Sequence, residues 1–437
     1  MRLATDGEVA VVIDPQRDHD RVLAITGARG LRITHVLETH IHNDYVTGGY
    51  ALAREVGATY VVSAGDEVAY DRVPAEDGDV LQAGRMQIRV LSTPGHTFTH
   101  LSYAIAVGDE APAVFSGGSL LYGSTGRPDL LGTEHAQALA RAQHRSAHRL
   151  LDELPRAAAL FPTHGFGSFY SATQSEEDSS TLEREAATNP ALTTDEDAFV
   201  AEILAGLDAY PAYYAHMAPA NAAGPAAPDL SPPTPAEPAE IRRRLDAGEW
   251  VVDLRTRTAF STGHVRGTIN LGLDGSFITY LGWLIPWGTP VTLLAETAED
   301  VAQVQRDMAR IGIDRPAAAA TGGPADWTGG AVLDQQSTAT FADLAAAAVR
   351  PVVLDVRRDL ERQGSHLPGS LHIPLQDLLA RLDEVPEDVE VWVHCAAGYR
   401  ASLAASLLRR AGRRTVLVDD EFDRAVALGL TTTVAAA

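Results

Sequence analysis

Short apolar runs broken by Gly, Pro, Asp and His set the pattern of this chain. Residues 8–13, 32–37, 86–91 and 158–161, and a further run ending at Phe115, are strand-length apolar stretches bounded by turn residues. Residues 135–154 read as a helix. Farther on, 291–294 and 389–393 are β-rich, and the apolar period through Leu403, Leu407 and Leu408 predicts a helix directly after the second of these.

The pattern repeats. Asp253, Arg255, His264, Gly267 and Asn270 recur as Asp355, Arg357, His366, Gly369 and His372, each 102 residues later. In both copies an apolar strand ends in Asp-hydrophobic-Arg, followed by a Gly/Ser-His-x-x-Gly turn. A length of 437 residues predicts about three domains. We expect a first domain over 1–220, an Ala/Pro-rich extended linker over 221–239, and the two copies over 240–330 and 340–437. The linker expectation rests on Pro219, Pro225, Pro228, Pro232, Pro233, Pro235 and Pro238, a density that predicts no helix between 218 and 239. A second boundary is expected over 322–337.

A net charge of −23 excludes nucleic acid and anionic membrane surfaces as natural partners. No apolar run has the length of a membrane span, and the N-terminus lacks a signal-peptide core. One cysteine permits no intrachain disulfide, and a reactive thiol survives best in a reducing compartment, so a cytoplasmic protein is expected. Homo-oligomerisation is left open.

That cysteine, Cys395, stands where a strand turns into a helix, in His394-Cys395-Ala396-Ala397-Gly398-Tyr399-Arg400. A thiol there meets main-chain N–H groups, the positive end of a helix and a guanidinium, all of which favour its ionised form. Four residues separate Cys395 from Arg400, one fewer than cysteine phosphatases need. The loop resembles the active loop of rhodanese-type sulfurtransferases, and the repeat resembles two rhodanese domains. The resemblance implies that Cys395 carries a persulfide, with Arg400 and the amides of Ala396, Ala397, Gly398 and Tyr399 binding the incoming anion. The first copy runs into Ala295 and Glu296 where the cysteine belongs, so it is expected to be catalytically silent and to serve packing or presentation.

Ten of the 15 histidines precede residue 170, and several follow expected strands, which is how a scaffold gathers imidazoles around a metal. The runs are Thr39-His40-Ile41-His42-Asn43-Asp44-Tyr45, Pro94-Gly95-His96-Thr97 and Pro162-Thr163-His164-Gly165. His-x-His-x-Asp followed by Gly-His-Thr resembles the metallo-β-lactamase fold, in the branch of glyoxalase-II-type hydrolases and persulfide dioxygenases. Asp14-Pro15-Gln16-Arg17-Asp18 and Gly126-Arg127-Pro128-Asp129 resemble the dioxygenase branch. The resemblance implies one Fe(II), with Zn as the alternative, on His40, His96 and a carboxylate; Arg127 would orient the thiol substrate. Gly118 stands where that carboxylate belongs, and Tyr45 replaces the histidine of a second metal position. We therefore expect one ion on His40, His96 and His42, with Asp44, Asp129 or water substituting, and His164 serving the second position. His100 is expected in a supporting role. Only seven residues precede the first strand, so an edge strand or hairpin of the family is expected to be missing, or the natural start to lie upstream.

The fold expected is α/β: a metallo-β-lactamase αββα sandwich followed by two rhodanese-like parallel-sheet domains. The activity this implies is oxidation of a low-molecular-weight thiol persulfide to sulfite by O₂, coupled to sulfane-sulfur transfer to or from sulfite or thiosulfate through Cys395. Two alternatives stay open: a sulfurtransferase with a metal-free N-terminal binding module, and a glyoxalase-II-like thioester hydrolase.

Overall fold

The chain opens on a hairpin. Strand β1 (Arg2–Thr5) pairs antiparallel with β2 (Val9–Ile13), and β3 (Arg32–Leu37), β4 (Thr59–Ser63) and β5 (Val73–Ala75) extend the sheet in parallel. The architecture is that of a computed structural model describing residues 1–108, 110, 112–164 and 179–432. The edge strand expected to be missing is thus formed by the first residues themselves.

A second sheet holds β6 (Val80–Ala83), β7 (Met86–Ser92), β8 (Leu101–Val107), β9 (Ala113–Gly117), β10 (Ala159–Pro162) and β11 (Ser180–Thr181), in reverse spatial order. Side-chain alternation builds the layers. Val9, Val11 and Ile13 of β2 join Met86, Ile88, Val90 and Phe115 between the sheets, while Ala10 and Val12 turn outward to Val22, Leu52 and Ala53 of two covering helices. On the far side, Leu91, Ala104 and Val114 pack on Ala140, Ala147 and Leu150 of the helix Ala136–Glu153. This is the expected αββα sandwich.

One stretch of the expected linker is helical. Residues Tyr214–Ala223 form a helix with Pro219 inside it. Tyr214, Met217 and Asn221, at helical spacing, are all buried, and that packing offsets the one hydrogen bond the proline removes. The irregular linker is confined to 224–237, before the helix Pro238–Asp246.

The chain divides into two compact units: Met1–Tyr210 with Tyr214–Pro228 and Ala309–Gly312, and Pro211–Tyr213 with Asp229–Met308 and Ile313–Ala437. The second contains two parallel sheets. One has β12 (Trp250–Asp253), β13 (Ile269–Asn270), β14 (Val291–Ala295) and β15 (Ala318–Thr321) in the order β13-β12-β14-β15. The other has β16 (Ser337–Ala339), β17 (Val352–Asp355), β18 (Leu371–His372), β19 (Glu390–His394) and β20 (Arg414–Val418) in the order β16-β20-β19-β17-β18. The repeat holds at the level of hydrogen bonds: Arg255 bonds Asp253 and the Gly263 carbonyl, and Arg357 bonds Asp355 and the Ser365 carbonyl. Part of the expected second boundary is instead the helix Pro324–Thr328, whose buried Trp327 packs on Ile241, Val251 and Leu294 of the first repeat. No helix among the described residues is long and apolar enough to cross a membrane.

Candidate functional sites

The loops after β3, β7, β9 and β10 bring His40, His42, His96 and His164 together, all buried. One ring nitrogen from each of His40, His42 and His164 lies within 4.8 Å of the others. His96 flanks them, its ring centroid 4.8 Å from that of His40 and 5.1 Å from that of His164. The close trio therefore includes His164, expected in a second position, rather than His96. The turn at Gly165 lies outside the described residues.

Hydrogen bonds fix which nitrogens are bare. The Thr39 hydroxyl donates to Asp14 (2.8 Å), so it must accept from His40 Nδ1 (2.9 Å), and His40 Nε2 is left as a lone pair. That Nε2 stands 3.4 Å from His164 Nε2. His96 Nδ1 donates to the Arg127 carbonyl (3.0 Å), which leaves His96 Nε2 bare as well. The Tyr45 hydroxyl donates to the Asp14 carbonyl (3.2 Å) and so accepts from His42 Nε2 (2.9 Å); buried His42 Nδ1 has no hydrogen-bond partner. Burial holds the His40 and His164 imidazoles well below their usual range and His96 at about 4, so these rings are neutral, the form that ligates. His42 is the exception. Burial pushes it down, but Asp14 beside it, together with Glu38, outweighs burial and raises it to about 10. Among the described residues the buried His42 Nδ1 has no hydrogen-bond partner, and this ring would ligate through it only by giving up its proton as a metal binds. Beside the neutral His40 and His164 rings it completes a donor set that fits a metal ion on that condition.

The carboxylates are distributed as follows. Asp44 lies 3.4 Å from His164 Nδ1 and 3.7 Å from His42 Nδ1, and burial raises its carboxyl to about 7. Asp129 is no substitute ligand: it makes a two-pronged ion pair with Arg127 (2.7 Å on each arm). Arg127 in turn donates to the Asp208 carbonyl and lies over Tyr210, so it is engaged in packing rather than presented to a substrate. Gly118 has no space for a carboxylate, because the His96 ring lies against its Cα. His100 supports the cluster from behind. It stacks on His40 at 5.0 Å, bonds Thr93 through Nδ1 and accepts from the Gly118 N–H through Nε2.

Two residues of this site, Glu38 and Asn221, escape a reading of the sequence, and Asp14 stands out there only within the run Asp14-Pro15-Gln16-Arg17-Asp18. Asp14 sits at φ 49°, and both its oxygens are taken by Thr39 and Thr163. Glu38 accepts from Thr47 and Tyr60 and faces His42 Nε2 at 3.2 Å. Asn221, in the unexpected helix, donates to the carbonyls of His42 and Tyr45 and accepts from Thr47 N–H, each at 2.8 Å. The spacing of Tyr214, Met217 and Asn221 was the available signal for the last.

In the second unit Cys395 follows β19, the central strand of its sheet, and is buried. The loop ends at Gly398 (φ 86°), which caps the helix Tyr399–Arg410. Among the described residues the N–H groups of Ala396, Ala397 and Gly398 donate to no protein acceptor, leaving them to an anion. Arg400 is not a lone cation above the thiol: both its arms grip Glu361 at 2.6 Å. Burial pushes the Glu361 carboxyl up, but Arg400 more than offsets it and holds it at about 2. The first repeat, which has no cysteine, borders this loop. The Tyr399 hydroxyl donates to the Gly272 carbonyl (2.8 Å), Tyr280 lies 5.9 Å from Tyr399, and Arg257 bonds Asp419 (2.6 Å) beside Gly398.

Comparison with known proteins agrees with both halves. The model of the rhodanese-like domain family matches residues 338–424. A hydroxyacylglutathione hydrolase-like protein of Mus musculus is 33% identical over 147 residues, 33% of this chain and 50% of that protein, so the chain spans half its length. The mitochondrial persulfide dioxygenase of Bos taurus is 30% identical over 196 residues, covering 44% of this chain and 69% of that protein. A metallo-β-lactamase structure from Staphylococcus aureus aligns with a TM-score of 0.65 at 27% identity, covering 73% of this chain and 94% of that one. Through its first unit the chain belongs to the persulfide dioxygenase family, and it carries a rhodanese-like domain over residues 338–424.

Proposed function

We propose that this enzyme of sulfur metabolism oxidises a low-molecular-weight thiol persulfide in its first unit and moves sulfane sulfur through Cys395 in its second. The observation that carries the first half is the close group of His40, His42 and His164 nitrogens, with His40 Nε2 left as a lone pair by the Thr39 contact and His96 Nε2 bare beside the group. His40, His42 and His164 would hold one metal ion, with Asp44 as the nearby carboxylate in place of Gly118. Bound Fe(II) would supply the open positions and redox capacity that O₂ chemistry requires. The net reaction consumes persulfide, O₂ and water and yields thiol, sulfite and two protons. Around it, Asp14 and Glu38 hold His42, and the His100 stack holds His40.

At the second site the Cys395 thiolate attacks the outer sulfur of a persulfide or of thiosulfate. The S–S bond breaks, a thiolate or sulfite leaves, and the sulfur stays on Cys395 until a second nucleophile removes it. The N–H groups of Ala396, Ala397 and Gly398 bind the anionic end of the donor. Arg400, fixed by Glu361, holds the loop's shape and adds its field. The likeness to a hydroxyacylglutathione hydrolase-like protein favours thioester hydrolysis as a second reading. Gly118 counts against it, because a bridging hydroxide needs two metals and the carboxylate that would help hold the second is missing there.

The test is O₂ uptake by iron-reconstituted protein given glutathione persulfide, with Cys395→Ser alongside. Uptake that survives the substitution supports the dioxygenase. Absent uptake, with thiosulfate sulfurtransfer still dependent on Cys395, sinks the dioxygenase half; thioester turnover in that same protein would put the hydrolase in its place.

A further inference from the structure

Cys395 precedes the N-terminus of the helix Tyr399–Arg410; a cavity of about 830 Å³ lies at its other end, lined by both repeats. A helix of 12 residues rises about 18 Å, so this cavity is separate from the thiol. Its wall carries Arg242, Arg266, Arg409, Arg410, Arg413 and Arg414. Among the described residues three carboxylates, Asp246, Asp334 and Glu390, share the lining, in a chain whose net charge is −23. The local field is the reverse of the global one.

The arginines' partners leave much of this charge uncompensated. Arg410 donates to the carbonyls of Gly248 and Glu249, Arg242 to Thr328 (3.2 Å) and Arg414 to Asp388 (2.7 Å). A carbonyl satisfies an N–H but carries no net charge. Arg413 pairs with Glu387 (2.8 Å), and Arg409 (2.6 Å) and the exposed Arg266 (3.6 Å) share the single carboxylate of Asp334, which leaves Arg242, Arg410 and Arg414 on carbonyls alone. Helix-end stabilisation accounts for Arg409 and Arg410, in the last turn, but not for Arg242, Arg266 or Arg414, which come from other elements. Beside the arginines the lining is apolar, with Ile241, Leu245, Val265 and Val332, the last 93% exposed. Guanidinium forks suit phosphate oxygens, and an adjoining apolar wall suits a ring or hydrocarbon body.

We propose that this cavity binds a small phosphorylated molecule of nucleotide size, its phosphates on the arginines and its apolar body against Val265 and Val332. The site is independent of the chemistry at Cys395 and at the histidine cluster. The full-length protein should be titrated with ADP and with inorganic pyrophosphate at constant ionic strength, by calorimetry and by the shift in thermal midpoint. ADP is expected to bind saturably and at least about tenfold more tightly than pyrophosphate. Arg266→Glu, at an exposed position, and Arg410→Gln should each weaken ADP by about tenfold or more, with Cys395-dependent thiosulfate sulfurtransfer unchanged in Arg266→Glu. No saturable binding, or ADP binding equal in the wild type and in a folded Arg266→Glu variant, would overturn the site. Equal affinity for ADP and pyrophosphate would overturn the nucleotide-sized occupant.

Discussion

A Cβ on Gly118 would stand 2.6 Å from Cγ of His96 and 2.9 Å from its Nε2, so the imidazole fills the space that a side chain at 118 would need. The missing carboxylate and the position of His96 are therefore one feature. Gly118→Ala is expected to lower stability by about 1–3 kcal/mol through overpacking alone. Gly118→Asp should do the same in metal-free protein and should displace His96 from the Arg127 carbonyl. Denaturant unfolding of both variants checks this. A neutral Gly118→Ala would mean that His96 is not held against Gly118.

Asn221 fixes the loop that carries His42, with three hydrogen bonds of 2.8 Å to the main chain of His42, Tyr45 and Thr47. Asn221→Ala leaves two carbonyls and one N–H without partners in a buried site, an expected loss of about 2–4 kcal/mol. Because the loop presents His40, His42 and Asp44, metal affinity should fall by about 10–100-fold. Chelator competition reads that loss. Asn221→Asp, which keeps the acceptor but loses both donors, should weaken metal nearly as much; retained affinity in both variants would show that the loop stands without this anchor.

How far the sequence reveals such features depends on how local they are. The Cys395 loop and the Asp-hydrophobic-Arg repeat are legible because strand, turn and helix succeed one another within a few residues, and each carries its own pattern. The histidines are legible as candidates, but their grouping is not. His164 faces His40 across 124 residues of chain, and only the register of β9 and β10 brings it there. The helix at Tyr214–Ala223 was hidden by Pro219, since intrinsic propensity is weak beside the burial of Tyr214, Met217 and Asn221. The Arg400–Glu361 pair spans 39 residues, and nothing near Arg400 announces its partner.

That pair gives a pH dependence. Glu361 is held at about 2 against an ordinary value of 4.5, so its stabilisation is fully present above 4.5 and is lost as the pH falls toward 2. Glu361→Gln also leaves the half-buried Arg400 without its countercharge. The variant is expected to unfold about 1–3 kcal/mol more easily at neutral pH, with the gap to wild type closing between about pH 4.5 and 2. Stability measured across that range decides it: a gap that persists unchanged to pH 2 would mean the pair contributes through packing rather than charge. Sulfurtransfer should fall as well, since the Cys395 loop loses the brace that fixes Arg400.

Gly398 is constrained twice. Its φ of 86° disfavours any side chain, and a Cβ there would collide with Asp419 Oδ1 and stand 2.8 Å from Arg257 Nε. Gly412 isolates the first constraint: its φ is 82°, but a Cβ meets nothing within 4 Å. Gly412→Ala is therefore expected to lower stability by about 1 kcal/mol and to leave sulfurtransfer intact. Gly398→Ala should lower stability further and should sharply reduce thiosulfate sulfurtransfer although Cys395 is unchanged, because the three free N–H groups are placed by this turn and by the Arg257–Asp419 pair behind it. The two variants assayed together separate backbone strain from loop shape. If Gly398→Ala matches Gly412→Ala in both stability and turnover, the Arg257–Asp419 pair yields to the added methyl, and the first repeat has no part in shaping the cysteine loop.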